Sequence, residues 1–388
     1  MTDTLSSRIR ARMRALDDDG LLRTLHVPSG VDLSSNDYLG LANHPHVKER
    51  MIEAVAREGA GSTGSRLLRG NREGFAALER RFASLKRTER SLYFSSGYLA
   101  NLAVLTTFPE RGDVILSDER NHASLIDGIR LSSARREIFP HNDVAAVRRA
   151  LDATRQTDQR FIVVESLFSM DGDEAPLKQY AELCRASGAY LIVDEAHAVG
   201  IYGAKGSGLI EANGIEEDVF LSVNTASKAL GVSGAFVAGA EWAIDYLIQR
   251  ARPFIFSTAA PPSIAAALDA SLDIVEREPQ RRSAVLERAR ALRMQLRTAG
   301  VSLPDGTSPI VPVLLGDNGR AVAVAEALQA EGFDVRAIRP PTVPPGSARL
   351  RISVNVNLTD ELMNRFATAL AAALVASGAG PVGLAERT

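Results

Sequence analysis

The sequence predicts an α/β fold: a mainly parallel sheet with helices on both faces, followed by a smaller α+β domain. Two observations carry this. Apolar runs of strand length recur with segments of helical period between them, the pattern of repeated strand–helix crossovers. Beyond about residue 260 the pattern changes to one long helical stretch and then scattered strands and helices. In order, the strand candidates are SLYF near residue 91, DVIL near 113, RFIVVES near 160, YLIVDEA near 190, DVFLSVN near 218 and GAFVAG near 234. Each is long enough for a strand and too short for a helix. The helical candidates between and beside them are 74–85, 99–107, 143–153, 176–187 and 241–251. STAAPPS (257–263) interrupts the pattern and a long helical stretch runs from it to about Thr298. Then come strand-like IVPVLLG, a helix over 320–331, strands near Val335 and Leu350, and a last helix from Thr359. The expected division is an N-terminal segment 1–45, a large α/β domain 46–260, and the long helix with a small α+β domain over 261–388.

Composition narrows the function classes. With 388 residues, 45% hydrophobic, 24% charged and a net charge of -2, the chain reads as globular, with no electrostatic bias toward nucleic acid or anionic membrane. No uncharged apolar run approaches the about 20 residues that span a bilayer. The start, MTDTLSSRIRARMRALDDDG, lacks a signal-type apolar core; its first fifteen residues suit a short amphipathic helix, and Asp17, Asp18 and Asp19 speak against a transit peptide. The single cysteine, Cys184, excludes a disulfide framework or a multi-cysteine metal site within one chain, so no metal is expected. Its place in PLKQYAELCRAS suggests packing, and a reducing, cytoplasmic setting fits.

The sharpest local signal is VNTASKALGVSGA (223–235), where Lys228 follows small hydroxyl residues and precedes a Gly/Ser-rich turn. A lysine that forms a Schiff base must reach an aldehyde yet be desolvated enough for its amine to be neutral. A solvated surface lysine reads the same way from this segment alone. In YLIVDEAHAVG, four apolar residues deliver Asp194 to the carboxyl end of a buried strand, where ligands of open α/β sheets bind, with His197 three residues on. Asp194 there is either a helix N-cap or the carboxylate that pyridoxal 5'-phosphate (PLP) needs against its ring nitrogen. YFSSGYLANLAV (93–104) reads as strand, Ser-Ser-Gly turn and helix, a geometry that brings N–H groups and a positive helix end to a phosphate. In DERNHASLIDG, His122 stands at a helix start, as a ring-stacking group or as a surface or capping residue. GAGSTGSRLLRG (59–70) is either a flexible loop or a place where backbone approaches a ligand closely.

Eight segments in order carry a family resemblance: SSNDYLGL (34–41), GSTGSRLLRGN (61–71), FSSGYLAN (94–101), NHASLIDG (121–128), ESLFSMDGDEAPL (165–177), VDEAHAVGIYG (193–203), TASKALGVSGA (225–235) and RPPTVPPGSARLRIS (339–353). Together they resemble the motif series of the α-oxoamine synthases, PLP enzymes of fold type I, over about residues 5–375. The resemblance implies a seven-stranded, mainly parallel sheet and a decarboxylative condensation of an amino acid with an acyl thioester that releases CO₂ and free thiol. GDNGRA (316–321) and AIRPPTVPPGSARLR (337–351) narrow the implied substrates to L-alanine and a pimeloyl thioester, of CoA or of a carrier protein, in biotin biosynthesis.

Carried onto this chain, the resemblance makes Lys228 the cofactor-bearing lysine and general base, Asp194 the partner of the pyridine nitrogen, and His122 the residue stacked on the ring. His197 and Ser169 approach the phenolic oxygen; Gly97, Tyr98 and Thr225 line the phosphate end. Thr258 reaches the phosphate of a neighbouring subunit, which implies a homodimer with sites at the interface. Asn36 and Arg351 hold the amino-acid carboxylate, and Thr342 and Arg23 contact substrate. Two alternatives stand beside this: another α-oxoamine synthase, such as 2-amino-3-oxobutyrate CoA ligase, and a non-catalytic PLP-fold partner subunit. Retention of Lys228, Asp194, His122 and His197 together argues against a scaffold.

Overall fold

Periodicity and burial sort the chain into elements, and the computed structural model describes residues 4–154 and 159–378. By packing, Asn36–Ser169 with Asp173–Ser283 form a large unit and the other described residues a small one. The chain begins in the small unit with helix α1 (Thr4–Asp18), which has no buried residue, and the short strand β1 (Val31–Asp32). In the large unit follow α2 (Pro45–Glu58), α3 (Glu73–Lys86), β2 (Arg90–Phe94), α4 (Gly97–Thr107), β3 (Val114–Asp118), α5 (Ala123–Leu131), β4 (Arg135–Phe139), α6 (Val144–Ala153) and β5 (Arg160–Glu165). It continues through α7 (Leu177–Ser187), β6 (Tyr190–Asp194), α8 (Leu209–Asn213), β7 (Val219–Thr225), β8 (Ala235–Gly239), α9 (Glu241–Arg250), α10 (Arg252–Ile255) and α11 (Pro262–Arg277).

Seven strands of the large unit form one sheet in the order β2-β8-β7-β6-β5-β3-β4. Only β8 runs against its neighbours, β2 and β7, and the remaining pairs are parallel. Every residue of β5 is buried, as expected of a parallel strand covered on both faces. Val163, Ile192, Val223 and Val237 pack with Val104 and Leu247 from the helices, and each such burial contributes roughly 1.5–3 kcal/mol. All six strand candidates are present. The seventh, β4, escapes the sequence reading because RREIF is an edge strand with Arg135, Arg136 and Glu137 carrying its charge and Ile138 exposed, the usual way a sheet edge is protected.

The long helical stretch is two helices. Pro279 disfavours helical backbone at Glu278, which adopts φ -119 and ψ 59, so α11 ends there and α12 (Pro279–Thr298) begins. The division between units falls inside α12, after Ser283, rather than at residue 260, because α11 packs on α2 within the large unit. At the other end, residues up to Ser35 group with the small unit instead of standing apart. There β1 pairs in parallel with β10 (Phe333–Asp334). The small unit is otherwise β9 (Ile310–Gly316), α13 (Asn318–Ala330), β11 (Ala337–Ile338), β12 (Ala348–Ser353) and α14 (Asp360–Ala376), with an antiparallel sheet β11-β12-β9 over a core that includes Leu292, Val313, Leu350 and Phe366. Among the described residues no helix is long and apolar enough to cross a membrane.

Candidate active site

Parallel strands point the same way, so their carboxyl ends gather side chains along one edge of the sheet. In the large unit β5 ends on Glu165, β6 on Asp194 and β7 on Thr225, all buried. Glu165 and Asp194 are register partners on adjacent strands. Just beyond β7 lies Lys228, half-buried, with its Nζ 3.0 Å from His197 Nε2. His197 Nδ1 lies 2.8 Å from the Tyr38 hydroxyl, which donates to Asn36 Oδ1 at 3.0 Å. A hydroxyl has one proton to give, so Tyr38 accepts from His197 Nδ1–H and leaves Nε2 as the acceptor for Lys228. The four side chains form one directed hydrogen-bond chain: Lys228 to His197 to Tyr38 to Asn36.

Asp194 anchors a second chain. Its Oδ1 accepts Ala196 N–H at 2.9 Å and its Oδ2 accepts Asn101 Nδ2 at 2.7 Å. The other Nδ2 hydrogen of Asn101 reaches Ser124 Oγ at 2.9 Å, and Ser124 contacts His122 Nδ1 through both its Oγ, at 2.7 Å, and its N–H, at 3.2 Å. His122 is therefore the N-cap of α5 as well as a site residue. Because Nδ1 accepts that N–H, the neutral ring carries its proton on Nε2. Desolvation holds the His122 imidazole below its ordinary range, Lys228 adds to this and Asp194 opposes it. Next to Asp194, Glu195 is fully buried and paired with Lys86 of α3, which ties down the segment leading to His197.

Glu165 is the third group. Burial, reinforced by Asp194 and opposed by Lys228 and by the His122 and Ser169 N–H groups, pushes its carboxyl up to about 8. His122 and Glu165 both feel the charges of Asp194 and Lys228, so these groups share one site. Ser169 N–H donates to Glu165 Oε2 at 3.2 Å.

The start of helix α4 borders it. At the start of α4, Ser96 caps the helix by accepting Leu99 N–H, and the first-turn N–H groups of a helix have no carbonyl partner within it. A Cβ on Gly97 would stand 2.5 Å from Thr225 Oγ1, so only glycine lets the helix start sit against the strand end. Tyr98, 41% exposed in that turn, bonds Asp127 through its hydroxyl. Thr258 is not brought to Lys228: it stands exposed beside Ala259, whose N–H bonds Gly64 O at 2.9 Å.

The remaining expected residues belong to the small unit. Arg23 and Thr342 line one cleft of about 1310 Å³ there. Arg23 Nη2 donates to Pro340 O at 3.0 Å, and Thr342 N–H to Arg339 O at 3.1 Å. Arg351, buried in β12, bonds Ser353 Oγ at 2.8 Å. Cys184 is buried in α7, and burial pushes its thiol up to about 12, in keeping with packing.

The donor set suits a PLP ring: one buried carboxylate fixed by two donors, a lysine amine on a histidine, a capped imidazole, and a helix start where a Cβ would intrude. Comparisons agree. Residues 28–370 match the aminotransferase class I and II model. A Marinobacter nauticus protein named 8-amino-7-oxononanoate synthase is 45% identical over 341 residues, 87% of this chain and 85% of that one. A serine palmitoyltransferase from S. paucimobilis, solved with PLP bound, superposes with a TM-score of 0.91 at 30% identity over 97% of this chain and 99% of that one. The 8-amino-7-oxononanoate synthase of Francisella tularensis does so with a TM-score of 0.78 at 28% identity over 90% and 98%. With its family model, its relatives and its neighbours in agreement, the chain belongs to the aminotransferase class I and II family.

Proposed function

We propose that the chain is a PLP-dependent acyltransferase that condenses L-alanine with a pimeloyl thioester, giving 8-amino-7-oxononanoate, CO₂ and free thiol, a step of biotin synthesis. The observation that carries it is the convergence of the Lys228–His197–Tyr38–Asn36 chain with the Asp194–Asn101–Ser124–His122 chain at the strand ends. The substrates follow the Marinobacter nauticus relative, which is 45% identical to this chain, rather than the structural neighbour, which is 30% identical.

PLP, when bound, supplies an electron sink that stabilises negative charge at the Cα of the amino acid. Lys228 would hold the cofactor and could serve as the base at Cα; its N–H on His197 Nε2 fixes where its lone pair points. Asp194, oriented by the Asn101 and Ala196 donors, would pair with the protonated ring nitrogen of the cofactor. His122, its ring orientation fixed through Ser124, would stack on the cofactor ring. The α4 start with Gly97, and Thr225, hold the phosphate. Thr258, exposed in a single chain, reaches the phosphate of a second copy in a homodimer, and the enzyme works in the cytoplasm.

The test is to load the purified protein with PLP, add L-alanine, glycine and L-serine in turn while recording cofactor absorbance, then add pimeloyl-CoA and follow free thiol. A band that shifts selectively with L-alanine, and thiol release that disappears in Lys228→Ala, are expected. A band with no thiol release points to another acyl donor, and a serine-selective shift to the serine-using branch; no band at all rejects the PLP reading.

A further inference from the structure

Glu165 is a buried carboxyl beside Asp194 at the strand ends that the proposed reaction leaves without a task. It is 2% exposed, and its Oε1 has no hydrogen-bond partner among the described residues. Its strand partner is Asp194, and aligned residues on parallel neighbours project to the same face, so two carboxyls lie side by side away from water. Asp194 already has two donors that favour its anion. Two adjacent anions in a dry site repel strongly, and one of a pair resolves this by keeping its proton.

The same carboxyl also joins two loops. Its Oε2 takes the N–H of Ser169 at 3.2 Å, and the His122 N–H faces the carboxyl closely enough to favour its charged form. The approach is braced from behind: Asn121 Oδ1 accepts Glu165 N–H at 3.2 Å, while Asn121 Nδ2 donates to Val163 O at 2.7 Å and Ser117 Oγ at 3.0 Å. Ser169, on the loop after β5, thus hangs on this side chain, while Asn121, beside His122 on the loop after β3, is held by the same residue's backbone.

We propose that Glu165 is a positioning residue that works as a neutral carboxylic acid: it ties the His122 and Ser169 loops together and leaves Asp194 as the single charged carboxylate beneath the cofactor. The assignment rests on the PLP reading of the site. The charged or titratable groups that face Glu165 are Asp194 on β6, Lys228 beyond β7 and His122 at the start of α5. Glutamine is the neutral isostere of the acid: its carbonyl still takes the loop N–H groups and it brings no charge.

Two measurements decide it. Infrared difference spectra of wild type against Glu165→Gln read the protonation state directly and do not need PLP to bind. A carboxylic-acid carbonyl band present in wild type at pH 7, absent from E165Q and lost as pH rises through about 8, is the expected result. Its absence at pH 7 overturns the proposal. PLP titration, followed by absorbance, reads the positioning role: E165Q keeps the wild-type dissociation constant within about twofold, whereas Glu165→Ala, which orphans the loop N–H groups, weakens it about tenfold. E165Q as damaging as E165A shows that the charge is needed and also overturns it. If E165Q does not fold, the wild-type infrared titration decides alone. Wild type that takes up no PLP refutes the proposed function and leaves the infrared result standing.

Discussion

Tyr38 has 0% of its surface exposed, and its hydroxyl lies between His197 Nδ1 and Asn36 Oδ1. Removing that oxygen in Tyr38→Phe keeps the ring and deletes the acceptor that holds the His197 proton on Nδ1. The histidine then has no fixed tautomer, and Lys228 loses a dependable acceptor. The expected outcome is a stability loss of about 1 kcal/mol and a fall in kcat of about tenfold with KM little changed. Steady-state kinetics and nitrogen-15 NMR of the His197 ring check it, and an unchanged ring spectrum rejects the relay. Tyr38 sits inside the segment SSNDYLGL from which only Asn36 was singled out. Asn101 closes FSSGYLAN and Glu165 opens ESLFSMDGDEAPL in the same way. Lys228, Asp194, His122 and His197 stand out in the sequence because their residue types carry chemistry by themselves. The three others act through partners far along the chain, as Tyr38 does on His197 159 positions away, and only folding reveals such pairs.

Helix α4 shows how an element can be both legible and underestimated. Its strand–turn–helix pattern is plain, but the reason for Gly97 is a contact with Thr225 that no local spacing contains. In Gly97→Ala the new Cβ meets Thr225 Oγ1 at 2.5 Å, so either the helix start or the strand end must shift. Overpacking of this kind costs about 1–3 kcal/mol. Because the shift falls on the helix start proposed to hold the phosphate, we expect the PLP dissociation constant to rise about tenfold or more, at a rate of one decade per 1.4 kcal/mol. Absorbance titration beside a melting curve checks it; a lowered melting temperature with unchanged PLP affinity would remove Gly97 from that role. The elements the sequence hid have physical causes too. Edge strand β4 lacks an apolar signature because one side of it has no neighbour, and the α11–α12 break depends on one proline in a periodic run.

At the scale of the whole molecule, protonation couples the site to stability through a cluster outside it. His141 lies between Asp118, at 2.9 Å from its Nδ1, and Asp173, at 2.7 Å from its Nε2, with the Phe168 ring edge-on at 4.4 Å between centroids. Burial pulls this imidazole down, but the hydrogen bonds to both carboxylates outweigh it and push it up to about 9. The bonds brace the turn after β3, which leads to His122, against the loop after β5, which carries Ser169. A histidine raised above its ordinary 6.5 binds its proton more tightly folded than unfolded, so its contribution is full below 6.5 and disappears as pH rises through about 9. Its size is about 2 kcal/mol after allowing for solvent at Asp173. Glu165 acts in the same direction: with its carboxyl raised to about 8, the folded protein keeps a proton that the unfolded chain gives up near 4.5, so the stability this contributes declines over the window from 4.5 to 8. Denaturant unfolding should therefore show wild-type stability falling between pH 6.5 and 9. His141→Asn should be less stable than wild type by about 2 kcal/mol at pH 6 and converge on it near pH 10. Parallel curves for the two proteins would reject the clamp, because a neutral packing role gives a difference that does not depend on pH.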